Sequence, residues 1–180
     1  MRAVLQLREY KRYVELPYKY LCSMQQESFT LEQATRAMER YCAYQERCHK
    51  EVETKLWKMN MIPLAQEEII LHLLQHDFLN ETRFSQSFAR GKFRIKSWGK
   101  QRITRELKTR GISKRNIDIA LKEIASEEYE AVFKKLSRKR YDQLYAEKNK
   151  FTKRKKLADY LLYRGWESDR VYAAVMEFVP

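Results

Sequence analysis

The chain has 180 residues, 37 Lys+Arg against 24 Asp+Glu, and a formal net charge of +13. Its four glycines and three prolines fall below the average usage of about 7% Gly and about 5% Pro, which argues against a sheet fold built on many tight turns. Apolar residues at 44% exclude a disordered polar chain, and no unbroken apolar run of about 18 residues points to a transmembrane helix.

In chain order, residues 1–29 fit none of the pattern that follows. Charges interrupt the apolar stretch of MRAVLQLREYKRYVEL, so it lacks a signal-peptide core. This segment is expected to be an appendage that can be disordered, with Met24 as an alternative start. Thr30-Leu-Glu-Gln33 then fits a capping box, opening a first helix that runs to about Gln45. A second helix covers about 47–59 and stops at Asn60. Pro63 opens the third, because its missing N–H costs nothing at the first helical position. A long fourth helix starts near Asn80, with Phe84, Phe88, Gly91, Ile95 and Trp98 as one apolar stripe and Gly99 as its stop. The fifth is expected over about 100–110, and Ser113 caps the sixth. Tyr129, Val132, Phe133 and Leu136 begin a long seventh helix. The eighth ends at Gly165, and the ninth reaches about Phe178.

Two glycines occupy the same local frame. Leu107 and Ile103 precede Gly111 as Leu161 and Leu157 precede Gly165, and Ile117, Ala120, Leu121 and Ile124 follow as Val171, Ala174, Val175 and Phe178 do. A weaker third copy puts Asn60 in the glycine's place, behind Leu56 and Val52. Asn tolerates the left-handed conformation that follows a helix end. A recurrence of about 50 residues without strand pattern predicts an all-α array of three tandem three-helix repeats, nine helices in all, over 30–79, 80–125 and 126–180.

Charge is uneven along this array. Residues 31–79 carry −2, residues 80–125 carry +9 and residues 126–180 carry +4. Arg90, Lys92, Arg94, Lys96, Lys100, Arg102, Arg105, Lys108 and Arg110 therefore form the candidate surface for phosphate or an acidic protein face. Phe93, amid these cations and off the stripe, is expected to pack against a neighbouring unit.

Chemistry of other kinds is weakly signalled. There is no Walker loop and no G-x-G-x-x-G between strand and helix. His72 and His76 lack a third ligand, so no metal is expected. Cys42 and Cys48 are expected as buried inert thiols, and three cysteines without framework spacing suit a reduced, cytoplasmic protein. No carboxylate pair is isolated from Lys or Arg, so neither an enzyme nor a cofactor is expected.

The run GKFRIKSWGKQRITRELKTRGISKRNIDIALKEI (91–124) resembles the core of the RecX family, regulators of RecA recombinase. YCAYQERCHKEVETKL (41–56), LLQHDFLNETRFSQSFAR (73–90) and KLADYLLYRGWESDRVYAAV (156–175) resemble that family's first unit, its link into the second and its last unit. The resemblance covers about residues 30–178, and its departures are the N-terminal segment and Asn60 where a glycine is common. It implies an elongated, curved, monomeric array without catalytic residues, with no membrane and no small-molecule substrate. The implied partner is the RecA filament, with weak contact to DNA, and the implied effect is inhibition of RecA ATP hydrolysis, strand exchange and co-protease action in DNA repair, homologous recombination and the SOS response. The competing reading is a DNA- or RNA-binding helical module that acts without RecA.

Overall fold

The computed structural model describes residues 29–180, and the expectations for residues 1–28, Cys22 and Met24 lie outside them. Nine α-helices and no strand make up the described residues: α1 Leu31–Tyr44, α2 His49–Lys58, α3 Pro63–Gln75, α4 Glu81–Lys96, α5 Lys100–Thr109, α6 Lys114–Lys122, α7 Ser126–Gln143, α8 Lys150–Tyr163 and α9 Ser168–Phe178. The all-α expectation holds.

Local chemistry sets the helix starts. The Gln33 amide donates to Thr30 Oγ1 at 3.2 Å, while the Thr30 amide donates to Gln33 Oε1 at 3.0 Å, closing the capping box. Asn80, Ser113 and Asn149 cap α4, α6 and α8 through their side-chain oxygens. Pro63 is the first residue of α3.

The stops repeat atom for atom. Asn60, Gly111 and Gly165 have φ of 57°, 80° and 81°. The amides of these residues donate to the carbonyls of Trp57, Lys108 and Leu162 at 2.9, 3.0 and 2.8 Å. The next amides, of Met61, Ile112 and Trp166, donate to Leu56, Leu107 and Leu161 at 3.2, 3.1 and 3.3 Å. Each set is a Schellman motif, and each closes with a buried apolar side chain, Met61, Ile112 or Trp166.

Two cores result. One joins α1, α2 and α3 through Ala34, Met38, Val52, Leu56, Ile69 and Leu73. The other runs without a break through α4–α9, and Cys48 reaches it from the first triplet. At the seam between the last two triplets, the Gly99 amide donates to Arg164 O at 2.9 Å and the Gln101 amide to Gly165 O at 3.2 Å. Trp166 Nε1–H donates to Ser97 O at 3.2 Å.

The α4 stripe needs correction. The helix ends at Lys96, with Ser97 left-handed, and Gly99 is the N-cap of α5. Its buried side is Phe84, Ser85, Ala89 and Phe93, and Ile95 is 79% exposed. The helix is rotated because α6 packs along one side of it and Phe93 inserts beneath Tyr129, ring centroids 5.7 Å apart. Phe93 therefore packs against the neighbouring triplet, as its position outside the stripe implied.

Candidate functional site

The nine basic residues singled out by charge fall into three groups. Arg90 donates to Glu123 at 2.8 Å and Arg94 to Glu128 at 3.1 Å, acids brought in by the C-cap of α6 and by α7. One Arg110 nitrogen donates both to the Glu106 carboxylate at 2.9 Å and to its carbonyl at 2.7 Å, with Glu51 at 3.9 Å. These three cations are paired.

A second group lies on aromatic rings. The Arg102 guanidinium sits between Trp98 at 4.1 Å and Tyr163 at 4.5 Å, and donates to Tyr163 O at 3.0 Å. It therefore bridges the second and third triplets. Lys92 lies 5.2 Å from the Phe88 ring and 5.5 Å from Trp98. The Lys100 ammonium is 4.7 Å from the Tyr129 ring, and the Lys100 amide donates to Tyr129 Oη at 3.0 Å. That hydroxyl donates in turn to the Glu167 carboxylate at 2.9 Å. Burial, and then the Glu167 charge beside it, pushes the Tyr129 phenol well above its ordinary range.

Lys96, Arg105 and Lys108 form the third group. They are exposed, and none has a carboxylate partner among the described residues. Arg105 and Lys108, three apart on α5, share a helix face. The clustered sequence charge thus becomes a small free surface beside a larger set of cations engaged within the fold. Exposed ion pairs are worth only about 0–1 kcal/mol, so Arg90 and Arg94 can exchange their carboxylates for a phosphate at little cost.

A second concentration of charge escaped the segment totals. Residues 134–156 hold eleven Lys and Arg against two acids, Asp142 and Glu147. Averaging over 126–180 hid them behind Glu127, Glu128 and Glu130 in the first turns of α7 and the acids of α9; a sliding charge window would have found them. Lys135, Arg138 and Lys139 line one shallow depression with Asp142, Gln143 and Tyr145.

The weaker signals resolve as packing. His72 Nε2 lies 2.8 Å from Glu39 Oε1, and the His72 and His76 rings sit 4.1 Å apart. No group of three or more potential metal ligands occurs among the described residues. Cys42 and Cys48 are buried free thiols; burial pushes Cys42 up to about 11 and raises Cys48 as well. A cleft of about 500 Å3 between α2 and α5 is lined by Lys50, Lys55, Lys58 and Arg110 together with Glu51 and Glu106. Its charges alternate in sign, so it isolates no acid–base pair. No helix of the described residues is long and apolar enough to cross a membrane.

Comparison with known proteins bears on this arrangement. The family model described as RecX, second three-helix domain, matches residues 80–121. The regulatory protein RecX of Serratia proteamaculans (strain 568) is 30% identical over 116 residues, covering 64% of this chain and 67% of its own. That of Yersinia enterocolitica is 29% identical over 117 residues, covering 65% and 68%. That of Lactobacillus delbrueckii subsp. bulgaricus (strain ATCC BAA-365 / Lb-18) is 26% identical over 144 residues, or 78% of this chain and 52% of its own. Two crystal structures share the fold. One, of regulatory protein RecX, has a TM-score of 0.71 at 23% identity, covering 82% of this chain and 71% of that one. The other, of RecX from Lactobacillus salivarius, has a TM-score of 0.69 at 24% identity, covering 82% and 96%.

Proposed function

The chain belongs to the RecX family of regulatory proteins, and from that premise we propose that it lies in the groove of RecA–DNA filaments and inhibits RecA ATP hydrolysis, strand exchange and co-protease action. It would thereby restrain DNA repair by recombination and the SOS response. The observation that carries this reading is the serial recurrence of one helix stop at Asn60, Gly111 and Gly165, with matching φ and matching hydrogen bonds. A series of similar units fits a partner that is itself a series of similar units, because each unit can meet an equivalent surface. We take 30–79, 80–125 and 126–180 as those units. The net +9 over 80–125 supports a partner that carries phosphate or acidic surface.

The test is RecA ATPase on single-stranded DNA, titrated with the full chain and with an Arg105→Glu, Lys108→Glu variant. Arg102 is left intact, because its guanidinium holds two triplets together. Stoichiometric wild-type protein should suppress hydrolysis and shorten filament lifetime, and the variant should need a higher concentration. Unchanged hydrolysis and lifetime with the wild-type protein would overturn the proposal.

A further inference from the structure

By the exposed ring that stands beside its cations, the depression on α7 differs from the basic surface of the second triplet. Six of the nine cations there are paired with carboxylates or lie on rings. On α7, Arg138 pairs with Asp142 at 3.1 Å, while Lys135 and Lys139 have no carboxylate partner among the described residues. From α8, the Lys153 ammonium lies 4.8 Å from the Tyr141 ring, which the Arg138 guanidinium approaches to 5.9 Å. The two helices thus bring their cations to one edge.

One aromatic side chain stands in water beside these cations, and a second is exposed at the start of α8. Tyr145, on the rim of the depression, is 84% exposed. Phe151, in the first turn of α8, is 77% exposed. Neither belongs to either core. Stability does not account for them, since an exposed ring contributes little burial. Cations that are free or held by a single exposed carboxylate, with a free ring beside them, are the components of a surface that tracks a phosphate backbone and stacks its bases.

We propose that this face of α7 and the α7–α8 turn binds a single-stranded polynucleotide, with Lys135, Arg138 and Lys139 on successive phosphates and Tyr145 stacked on a base. A duplex would satisfy the cations but would leave Tyr145 idle, because its bases are stacked on one another. An acidic peptide would leave the ring idle too. This activity needs no RecA and so goes beyond the filament reading.

The experiment measures anisotropy of a labelled oligodeoxythymidine of about twenty nucleotides with the full chain and no RecA. It is run at about 50 mM salt, where attraction to phosphate is weakly screened. A circular-dichroism melt of each variant is recorded alongside. Tyr145→Ala should melt like the wild type and lose about 5- to 150-fold in affinity, the range for one stacked base, while Tyr145→Phe keeps it. Lys135→Gln with Lys139→Gln should reduce the slope of log affinity against log salt by about 1.4, at about 0.7 for each single-strand phosphate released. An unlabelled duplex of equal length should compete poorly. Absence of binding, wild-type affinity in Tyr145→Ala, or competition by duplex equal to that by single strand would each overturn the proposal. RecA is absent throughout, so the outcome is separable from that of the ATPase titration.

Discussion

Three glycines separate backbone strain from close approach. Gly111 has φ +80° and open space around a would-be Cβ, so Gly111→Ala carries strain alone, about 1–2 kcal/mol. Gly99 has an ordinary φ of −74°, but a Cβ there would lie 2.2 Å from Gly165 O, 2.5 Å from its carbonyl carbon and 2.6 Å from the Trp166 nitrogen. All three are backbone atoms, so the triplets must part. Parting them breaks the bonds from the Gly99 amide to Arg164 O and from the Gln101 amide to Gly165 O. Each buried group left unsatisfied costs about 1–3 kcal/mol, and Trp166, fully buried at this seam, loosens with them. Gly99→Ala should therefore cost about 3 kcal/mol, which at about 2–4 °C per kcal/mol for a chain of this size lowers Tm by about 6–12 °C. Gly165→Ala combines both effects, since φ is +81° and its Cβ would meet Arg102 Cβ at 2.3 Å; it should cost about 4–5 kcal/mol. Thermal melts of the three variants should rank Gly165→Ala below Gly99→Ala below Gly111→Ala. A Gly99→Ala protein that melts at or above Gly111→Ala would refute the close approach of the two triplets.

Two further outcomes follow from the buried polar groups. Tyr129→Phe removes the hydroxyl that accepts from the Lys100 amide and donates to Glu167, and should cost about 1–3 kcal/mol in a denaturant melt; a wild-type midpoint would show that water replaces it freely. At pH 8 a thiol raised to about 11 holds only about one thiolate in a thousand. In a Cys22→Ser protein, Cys42 and Cys48 should therefore react with a disulfide reagent only after unfolding, and rapid labelling of the native protein would contradict their burial. The same shift sets an alkaline limit. Unfolded thiols ionise near 9.0 while native Cys42 holds its proton to about 11, so stability should fall as pH rises across that interval. Cys48 and Tyr41 are raised too, burial being the largest cause in each, and add in the same direction.

What the sequence discloses and what it conceals follow from the range of each interaction. The caps and stops were legible because they are decided within six residues: Thr30 with Gln33, or Gly111 with Leu107 and Ile112. Gly and Asn are favoured at the left-handed position, so residue type marked these three stops, whereas Ser97, left-handed after α4, carries no such mark. The rotation of α4 was not legible. Its face is chosen by α6 and by Tyr129, which lies 36 positions beyond Phe93, and Ile95 and Phe93 are equally apolar on paper. Gly99 was read as a stop because a lone glycine says nothing about the backbone it must admit, here Gly165.

Charge shows the same division of range, and there it bears on function. Counting residues put the interface on the second triplet, where +9 accumulates. The acids that engage Arg90 and Arg94 lie 33 and 34 residues away, beyond any local count. The rings that hold Arg102 come from two different triplets. Much of that charge therefore engages other parts of the fold, and Lys96, Arg105 and Lys108 alone of the nine have neither a carboxylate nor a ring partner among the described residues. Lys135 and Lys139 on α7 face no such acid, although the totals had diluted them with Glu127, Glu128 and Glu130. A cation meets an outside anion most readily where no inside anion or ring engages it, and an exposed pair yields at little cost. By that criterion the third triplet, and not the second alone, presents the charge of this protein outward.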